Sequence, residues 1–398
     1  MRRKVVIAGG GTGGHLFPGI ALAKALRRSD MTIEIAFVGT KHGIESKILP
    51  RENFKLKTII SSGLLGKKGL NRWVSWFKLP VGASQSMCFL IRNRPNLVVG
   101  VGGYASAPLV FSAWLLRIPI LIHEQNAFPG MANKWLGKIA DKVAVSYEES
   151  KQFFSEKKVE VTGNMIHEKL CQPKEEFPPP SKQPFGILIL GGSQGAHSIN
   201  MAMVEALDLL SDRKDSLHIT HQTGNADYEN VKKQYADKGF SANVMSFITD
   251  MPMRYRLASL VICRSGATTL AEITAAGRVS ALIPFPYAAN NHQEHNARII
   301  ETADAGEVIL DKEISGERLA KSIKKAMDEP ENLQKMEANS YRLGSRDASE
   351  KVRDICLELM DVANKNEEHN NDSKKKYDLS CFLEKPKEST SSVSEDRV

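Results

Sequence analysis

The five cysteines among the 398 residues (Cys88, Cys171, Cys263, Cys356 and Cys381) show no CxxC spacing. That scatter lends nothing to a disulfide framework or a cysteine-built metal site and fits reduced thiols in a cytosolic protein. No uncharged apolar run approaches the roughly 20 residues that a membrane-crossing helix needs, so an integral membrane protein is not expected. The start, Met1-Arg2-Arg3-Lys4, leads directly into an apolar strand, without the apolar core and cleavage site of a secretory signal. No DxD-type motif marks a metal-assisted nucleotide site. His292 and His295 lie close together, but no carboxylate or cysteine pattern accompanies them, so neither a metal nor another cofactor is expected.

What the chain does have is two glycine-rich junctions between strand and helix. Val5-Val6-Ile7-Ala8 runs into Gly9-Gly10-Gly11-Thr12-Gly13-Gly14-His15, and Ile187-Leu188-Ile189-Leu190 runs into Gly191-Gly192-Ser193-Gln194-Gly195-Ala196. Glycine lets the backbone turn sharply and lets a ligand approach its N–H groups. The helix behind each loop turns its positive end toward whatever binds there, most often an anion. One such loop says little; two, each opening its own half of a chain too long for one core, imply an α/β fold of two doubly wound Rossmann-like domains facing across a cleft.

Short apolar runs alternate with helical patterns, which implies parallel sheets with helical crossovers. Strands are expected at 4–8, 32–38, 57–60, 97–101, 120–124, 142–145 and 159–161, then at 185–190, 217–222, 242–247, 260–263, 280–283 and 307–310. Helices are expected at 18–27, 106–116 and 344–362. The first domain should span 1–163, a proline- and lysine-rich linker 164–184, and the second domain 185–345. A helix over 346–363 is expected to pack back on the first domain. The polar stretch 364–398 lacks the apolar residues a core needs and is expected to be disordered.

A net charge of +8 needs a partner, and nucleic acid is not expected because no binding motif accompanies the charge. Leu64, Leu65, Lys67, Lys68, Trp73, Trp76, Phe77 and Lys78 interleave apolar and cationic side chains. That mixture suits docking at an anionic membrane surface, aromatics at headgroup depth and cations on the lipid charge. The alternative is an amphipathic helix whose aromatics fill the first core.

Gly9, Gly11 and Gly14 satisfy GxGxxG, but the second strand ends Phe37-Val38-Gly39-Thr40, without the acidic residue that holds a dinucleotide ribose, which disfavours a nicotinamide cofactor. His15 starts the following helix, where the dipole favours a neutral imidazole able to act as a base; a loop-capping role is equally compatible with the position. Later, Cys263-Arg264-Ser265-Gly266-Ala267-Thr268 forms another turn into a helix, whose N–H groups suit a diphosphate. Glu272 lies inside that helix, as a solvated charge or as an acceptor for ribose hydroxyls. Asn290-Asn291-His292-Gln293-Glu294-His295-Asn296 supplies the neutral donors and acceptors that sugar hydroxyls need.

Together with Val101-Gly102-Gly103-Tyr104, His123-Glu124-Gln125-Asn126 and Val161-Thr162-Gly163-Asn164, these motifs resemble, in order and spacing over residues 3–360, the MurG family of bacterial cell-wall glycosyltransferases. The resemblance implies the GT-B fold and an inverting hexosyl transfer from UDP-N-acetylglucosamine to the MurNAc 4-hydroxyl of lipid I, forming lipid II for peptidoglycan. It implies the cytoplasmic face of the inner membrane as the location, and cell-wall synthesis and division proteins as partners. Carried over by motif, His15 would be the general base. Gly10, Gly11, Thr12, Gly103 and Tyr104 would face the acceptor diphosphate. The donor would meet Thr12, Gly13, Gly14, His15 and Asn126 from the first domain. From the second it would meet Ser193, Gln194, Phe247, Ile248, Arg264, Ser265, Gly266, Ala267, Thr268, Glu272, His292 and Gln293, with Phe247 and Ile248 at the uracil and Glu272 at the ribose. The family pattern has proline and then arginine after the Thr-Gly-Asn motif; here Met165 and His167 replace them, so a diphosphate contact there would be weaker or pH-sensitive. A diacylglycerol glycosyltransferase, a UDP-sugar 2-epimerase and an inactive sugar-nucleotide scaffold remain as alternative readings.

Overall fold

A strand covered on both faces needs apolar residues at consecutive positions, and the runs before each glycine loop meet that condition. In the computed structural model, which describes residues 3–362 apart from 42, 62–69, 104, 173–183 and 193, and only the backbone of 70–79, those runs are the central strands of two sheets. The first sheet comprises β1 (Lys4–Ala8), β2 (Glu34–Gly39), β3 (Lys55–Thr58), β4 (Leu97–Gly100), β5 (Ile120–Glu124), β6 (Lys142–Val145) and β7 (Val159–Val161). Helices α1 (Gly13–Ser29), α2 (Glu45–Arg51), α3 (Leu70–Asn93), α4 (Ser106–Leu115) and α5 (Met131–Ile139) alternate with them. The strand order is β3-β2-β1-β4-β5-β6-β7.

The second sheet, β8 (Phe185–Leu190), β9 (Leu217–Gln222), β10 (Ala242–Met245), β11 (Leu260–Cys263), β12 (Val279–Leu282) and β13 (Gly306–Val308), has the order β10-β9-β8-β11-β12-β13. Its helices are α6 (His197–Leu209), α7 (Tyr228–Asp237), α8 (Met251–Leu257), α9 (Ala267–Ala276), α10 (His292–Thr302), α11 (Gly316–Asp328) and α12 (Pro330–Leu343). Every strand pair among the described residues is parallel. This is the GT-B arrangement of two Rossmann-like domains. Strand order reverses between β1 and β4 and again between β8 and β11, and ligands of open α/β sheets bind beyond the carboxyl ends of strands at such points. The loops leaving those four strands carry residues 9–14, 101–105, 191–196 and 264–266, so topology gathers the sequence motifs at two places.

A last helix, α13 (348–362), returns to the first domain. Its Ala348, Val352, Ile355, Cys356 and Met360 share a core with Val5, Ile7, Leu16 and Leu22. Before it, Arg346 donates to the carbonyls of Thr274, Ala275, Tyr341 and Gly344 and stacks over the Tyr341 ring at 3.3 Å, anchoring the crossover to the second domain.

Several boundaries differ from the sequence-based expectation. β10 stops at Met245, ahead of Phe247, and β3 starts at Lys55. α1 begins at Gly13, five residues before the expected start, and contains Pro18. Proline lacks the N–H that would bond the carbonyl four residues back. Here that carbonyl, Gly14 O, accepts instead from Thr268 Oγ1 of the second domain at 3.1 Å. The proline that seemed to open the helix frees an acceptor for an interdomain bond.

Candidate active site

At several glycines of the first loop and of the 101–105 turn beside it, neighbours leave no room for a side chain. A Cβ on Gly9 would lie 2.2 Å from Val101 Cγ2, and one on Gly103 would lie 2.4 Å from Gly10 O. Gly102, at φ +91°, lies against the His15 ring, whose Cδ2 would be 2.5 Å from an added Cβ. Thr12 Oγ1 lies 3.2 Å from His15 Nδ1. The His15 ring is desolvated and faces the field of His292 across the cleft, and these effects, in that order, lower its pKa to about 4. It is a neutral imidazole at neutral pH.

The second domain supplies the opposite wall. α6 and α9 both start without a side-chain cap, at Ala196 and Gly266, so their first N–H groups have no intrahelical or side-chain acceptor. Glu272 accepts from the buried Tyr255 hydroxyl at 3.0 Å. Desolvation pushes the Glu272 pKa up to about 7, against the lowering effect of that bond. Gln222 donates to Gly192 O and accepts from Ile248 N, both at 2.8 Å, joining the glycine loop to the Phe247–Ile248 turn. Ile248 is buried while Phe247 is exposed.

The two walls enclose a cleft of about 1320 Å³, lined among others by Thr12, His15, Asn126, Phe247, Glu272 and His292. Asn296, buried in α10, spans it: its Oδ1 accepts from Ala127 N at 2.9 Å, and its Nδ2 donates to Asn126 Oδ1 at 3.2 Å. The Phe128 and His295 rings stack with centroids 5.6 Å apart. His292 Nδ1 pairs with Ala289 O at 2.8 Å. Among the described residues, no three His, Cys, Asp or Glu side chains converge as a metal-binding group.

The halves of the chain match two family models, the glycosyltransferase family 28 N-terminal domain over residues 5–145 and its C-terminal domain over residues 186–355. The UDP-N-acetylglucosamine--N-acetylmuramyl-(pentapeptide) pyrophosphoryl-undecaprenol N-acetylglucosamine transferase of Myxococcus xanthus is 48% identical over 357 residues, 90% of this chain and 93% of the relative. The protein of that name from Geotalea daltonii is 46% identical, covering 88% and 96%. The chain belongs to the MurG family. The crystal structure of Acinetobacter baumannii MurG superposes with a TM-score of 0.71 at 29% identity, covering 89% of this chain and 99% of that one. A UDP-GlcNAc 2-epimerase from Neisseria meningitidis, at 15% identity and TM-score 0.63 over 90% and 100% of the two chains, shares the fold.

In this MurG-family chain, Thr12, Gly13, Gly14, His15, Asn126, Phe247, Ile248, Arg264, Gly266, Ala267, Thr268, Glu272, His292 and Gln293 line one cleft, whereas Gly10, Gly11, Gly103, Gln194 and Ser265 are not among its lining residues, and several side chains are already engaged. Ser265 Oγ donates to Gln293 O at 2.8 Å and Thr268 Oγ1 to Gly14 O, so a diphosphate at this turn would meet its N–H groups. Gln293 Oε1 accepts from Phe285 N. Arg264 is held by Asp311 at 2.6 Å, by Ser198 and by the carbonyls of Ile283 and Pro284. Ile248 N is taken by Gln222, which removes it as a uracil donor. Gln194 lies on the second loop, its carbonyl against Gly224. Ser193 and Tyr104 lie outside the described residues, as do Leu64, Leu65, Lys67 and Lys68; Trp73, Trp76, Phe77 and Lys78 lie on α3 where only the backbone is described. Met165 is buried in the first core, and His167 lines the cleft with its pKa lowered, first by desolvation and then by Lys24. Sequence reasoning missed Gln222, Asn296 as a pin, and an exposed apolar row on α4 and α5 (Phe111, Trp114, Leu115, Met131 and Trp135). The alternation of α4 with large apolar residues at 111, 114 and 115, beyond what its buried face requires, was the available signal.

Proposed function

We propose that the protein transfers N-acetylglucosamine from UDP-N-acetylglucosamine to the MurNAc 4-hydroxyl of lipid I, forming lipid II. The observation that carries this reading is one cleft in which a neutral histidine of the first domain faces the Glu272 carboxyl group and two uncapped helix starts of the second, within a chain whose relatives bear that activity in their names. The base role needs the tautomer in which Nδ1–H of His15 donates to Thr12 Oγ1, leaving the lone pair on Nε2. The acceptor O4 attacks the anomeric carbon, its proton passes to His15, and the bond to the UDP oxygen breaks in a single inverting displacement that gives a β-1,4 linkage. The leaving diphosphate gains charge, and preorganised N–H groups at α6 and α9 stabilise it. Glu272 accepts the ribose hydroxyls, Phe247 and Ile248 flank the uracil, and His292, Gln293 and Asn126 read the sugar. Gly10, Gly11, Thr12, Gly103 and Tyr104 face the acceptor diphosphate.

No helix among the described residues is long and apolar enough to cross a membrane. The exposed apolar row of α4 and α5, and the groove of about 450 Å³ between α3 and α4 lined by Met87, Ile91, Phe111 and Leu115 with Arg92 at its side, support peripheral docking on an anionic membrane surface. The interleaved apolar and cationic sequence at 64–78 suits the same docking, and the cytoplasmic face of the inner membrane is where both substrates meet. The test is transfer of radiolabelled sugar from UDP-N-acetylglucosamine to a short-chain lipid I analogue, with diacylglycerol and no-acceptor controls. Incorporation with lipid I alone is expected; donor consumption without acceptor would overturn the reading in favour of an epimerase or hydrolase.

A further inference from the structure

Glu45 is fully buried at the start of α2, yet no cation pairs with it among the described contacts. Its Oε2 accepts from Gly11 N at 2.8 Å, and its Oε1 accepts from Thr40 N at 2.7 Å and Thr40 Oγ1 at 2.9 Å. Every partner donates, so both oxygens act as acceptors, as in a carboxylate. The site is built around this group. A Cβ on Gly10, Gly39 or Gly43 would fall within 2.7 Å of a Glu45 side-chain atom, so three glycines from three segments make the space it fills. A buried charge held only by hydrogen bonds is costly to leave unsatisfied.

The bond to Gly11 fixes the residue just ahead of Thr12, and the Thr12 hydroxyl lies 3.2 Å from His15 Nδ1. Thr12 O also accepts from His15 N, at 3.3 Å. We infer that Glu45 is a positioning residue: it pins the glycine loop from beneath and thereby sets the place and tautomer of the His15 imidazole. This rests on the reading of His15 as general base. Among the described residues, the hydrogen-bond partners of Glu45, Gly11 and Thr40, belong to the first domain. Glutamine in its place would turn an N–H toward either Gly11 N–H or the Thr40 donors, and the loop would shift to relieve the clash.

The test is a double-mutant cycle of Glu45→Gln and His15→Ala, read as kcat on a soluble lipid I analogue, with UDP affinity measured by calorimetry. If Glu45 acts through His15, Glu45→Gln lowers kcat about tenfold or more, UDP affinity changes less than about twofold, and the double variant loses no more than His15→Ala alone. Multiplying effects, or a Glu45→Gln enzyme within about twofold of the parent, would overturn the inference. If Glu45→Gln does not fold, Glu45→Asp, which keeps the charge but draws it back from Gly11, is read in the same cycle with the same two outcomes. A parent enzyme inactive on lipid I would instead count against the proposed function and is seen before any variant is compared.

Discussion

The two glycine loops answer the same backbone demand, yet different groups lie beneath them. Under the first, the Glu45 carboxylate takes the Gly11 N–H for itself. Under the second, the neutral amide of Gln222 bonds a loop carbonyl, Gly192 O, and among the described residues no carboxylate claims a loop N–H. The first loop is crowded by a second glycine turn, with Gly103 against Gly10; the second packs on the Thr223–Gly224 turn, where a Cβ on Gly195 would lie 2.0 Å from Thr223 O. The first loop has already given its Gly11 N–H to Glu45, whereas the starts of α6 and α9 in the second domain keep N–H groups for a nucleotide diphosphate. The difference supports the proposed division, in which the first domain positions the base and the second holds the donor.

The largest effect should come from His15→Ala, which is expected to lower turnover by about 10²–10⁴ while UDP affinity stays near that of the parent. Parallel loss of both, measured by steady-state kinetics and calorimetry, would break the division of labour between the loops. Next, Glu272→Gln should weaken UDP binding by about 10–100-fold, the scale of a lost hydrogen bond to a charged group. kcat at saturating donor should change far less, and a variant that lost kcat alone would place Glu272 with the chemistry.

A paired substitution of the glycines comes third. Gly195→Ala should lower the melting temperature and UDP affinity together, because overpacking at a positive φ (+82°) costs about 1–3 kcal/mol. Gly102→Ala should displace the His15 ring and lower turnover with UDP affinity kept. Identical phenotypes for the two would erase the comparison.

The smallest effect is the pH dependence, and the two walls of the cleft predict opposite behaviour. Glu272 has its pKa raised from 4.5 to about 7, and ribose hydroxyls need the ionised form to accept them, so UDP affinity should rise with pH up to about 7 and then level off. In the unliganded protein the same shift stabilises the fold below pH 4.5, a contribution lost as pH rises through about 7. His15 is shifted the other way, to about 4, so its contribution to stability is present above 6.5 and lost as pH falls toward 4. Turnover at saturating substrates should therefore show no histidine limb near pH 6.5, while kcat/KM for the donor should decline below pH 7. A kcat profile bending at 6.5 would mean that His15 is solvated during turnover.

Much of this was legible in the sequence because it is local. Apolar runs such as 185–190 and 260–263 read as strands because a doubly covered parallel strand admits little else. The glycines at 9–14 and 191–195 announced sharp turns, and His15 and Glu272 stood at fixed offsets from helix starts. Pro18 misled for the same reason: a local rule opens a helix there, while the freed Gly14 carbonyl is satisfied by Thr268 of the other domain. Glu45 and Gln222 gave no signal, and Asn296 read as a sugar contact and not as an interdomain pin, since each owes its role to partners remote in sequence or in the other domain. The α4–α5 apolar face was hidden too, because exposure depends on what packs over a helix.

By itself, then, the sequence determined the element types, the two-domain division of strands and helices, and the identity of the residues able to turn, bind an anion or take a proton, all of which follow from backbone sterics and side-chain chemistry within a few residues. Only the tertiary structure decided which of those groups meet. The strand order brings loops 9–14 and 101–105 together, the return of α13 and the Asn296 and Thr268 bonds set one domain against the other, and distant neighbours bury Glu45 and desolvate His15 and Glu272. Desolvation and juxtaposition are sums over the whole fold, and no stretch of sequence contains them.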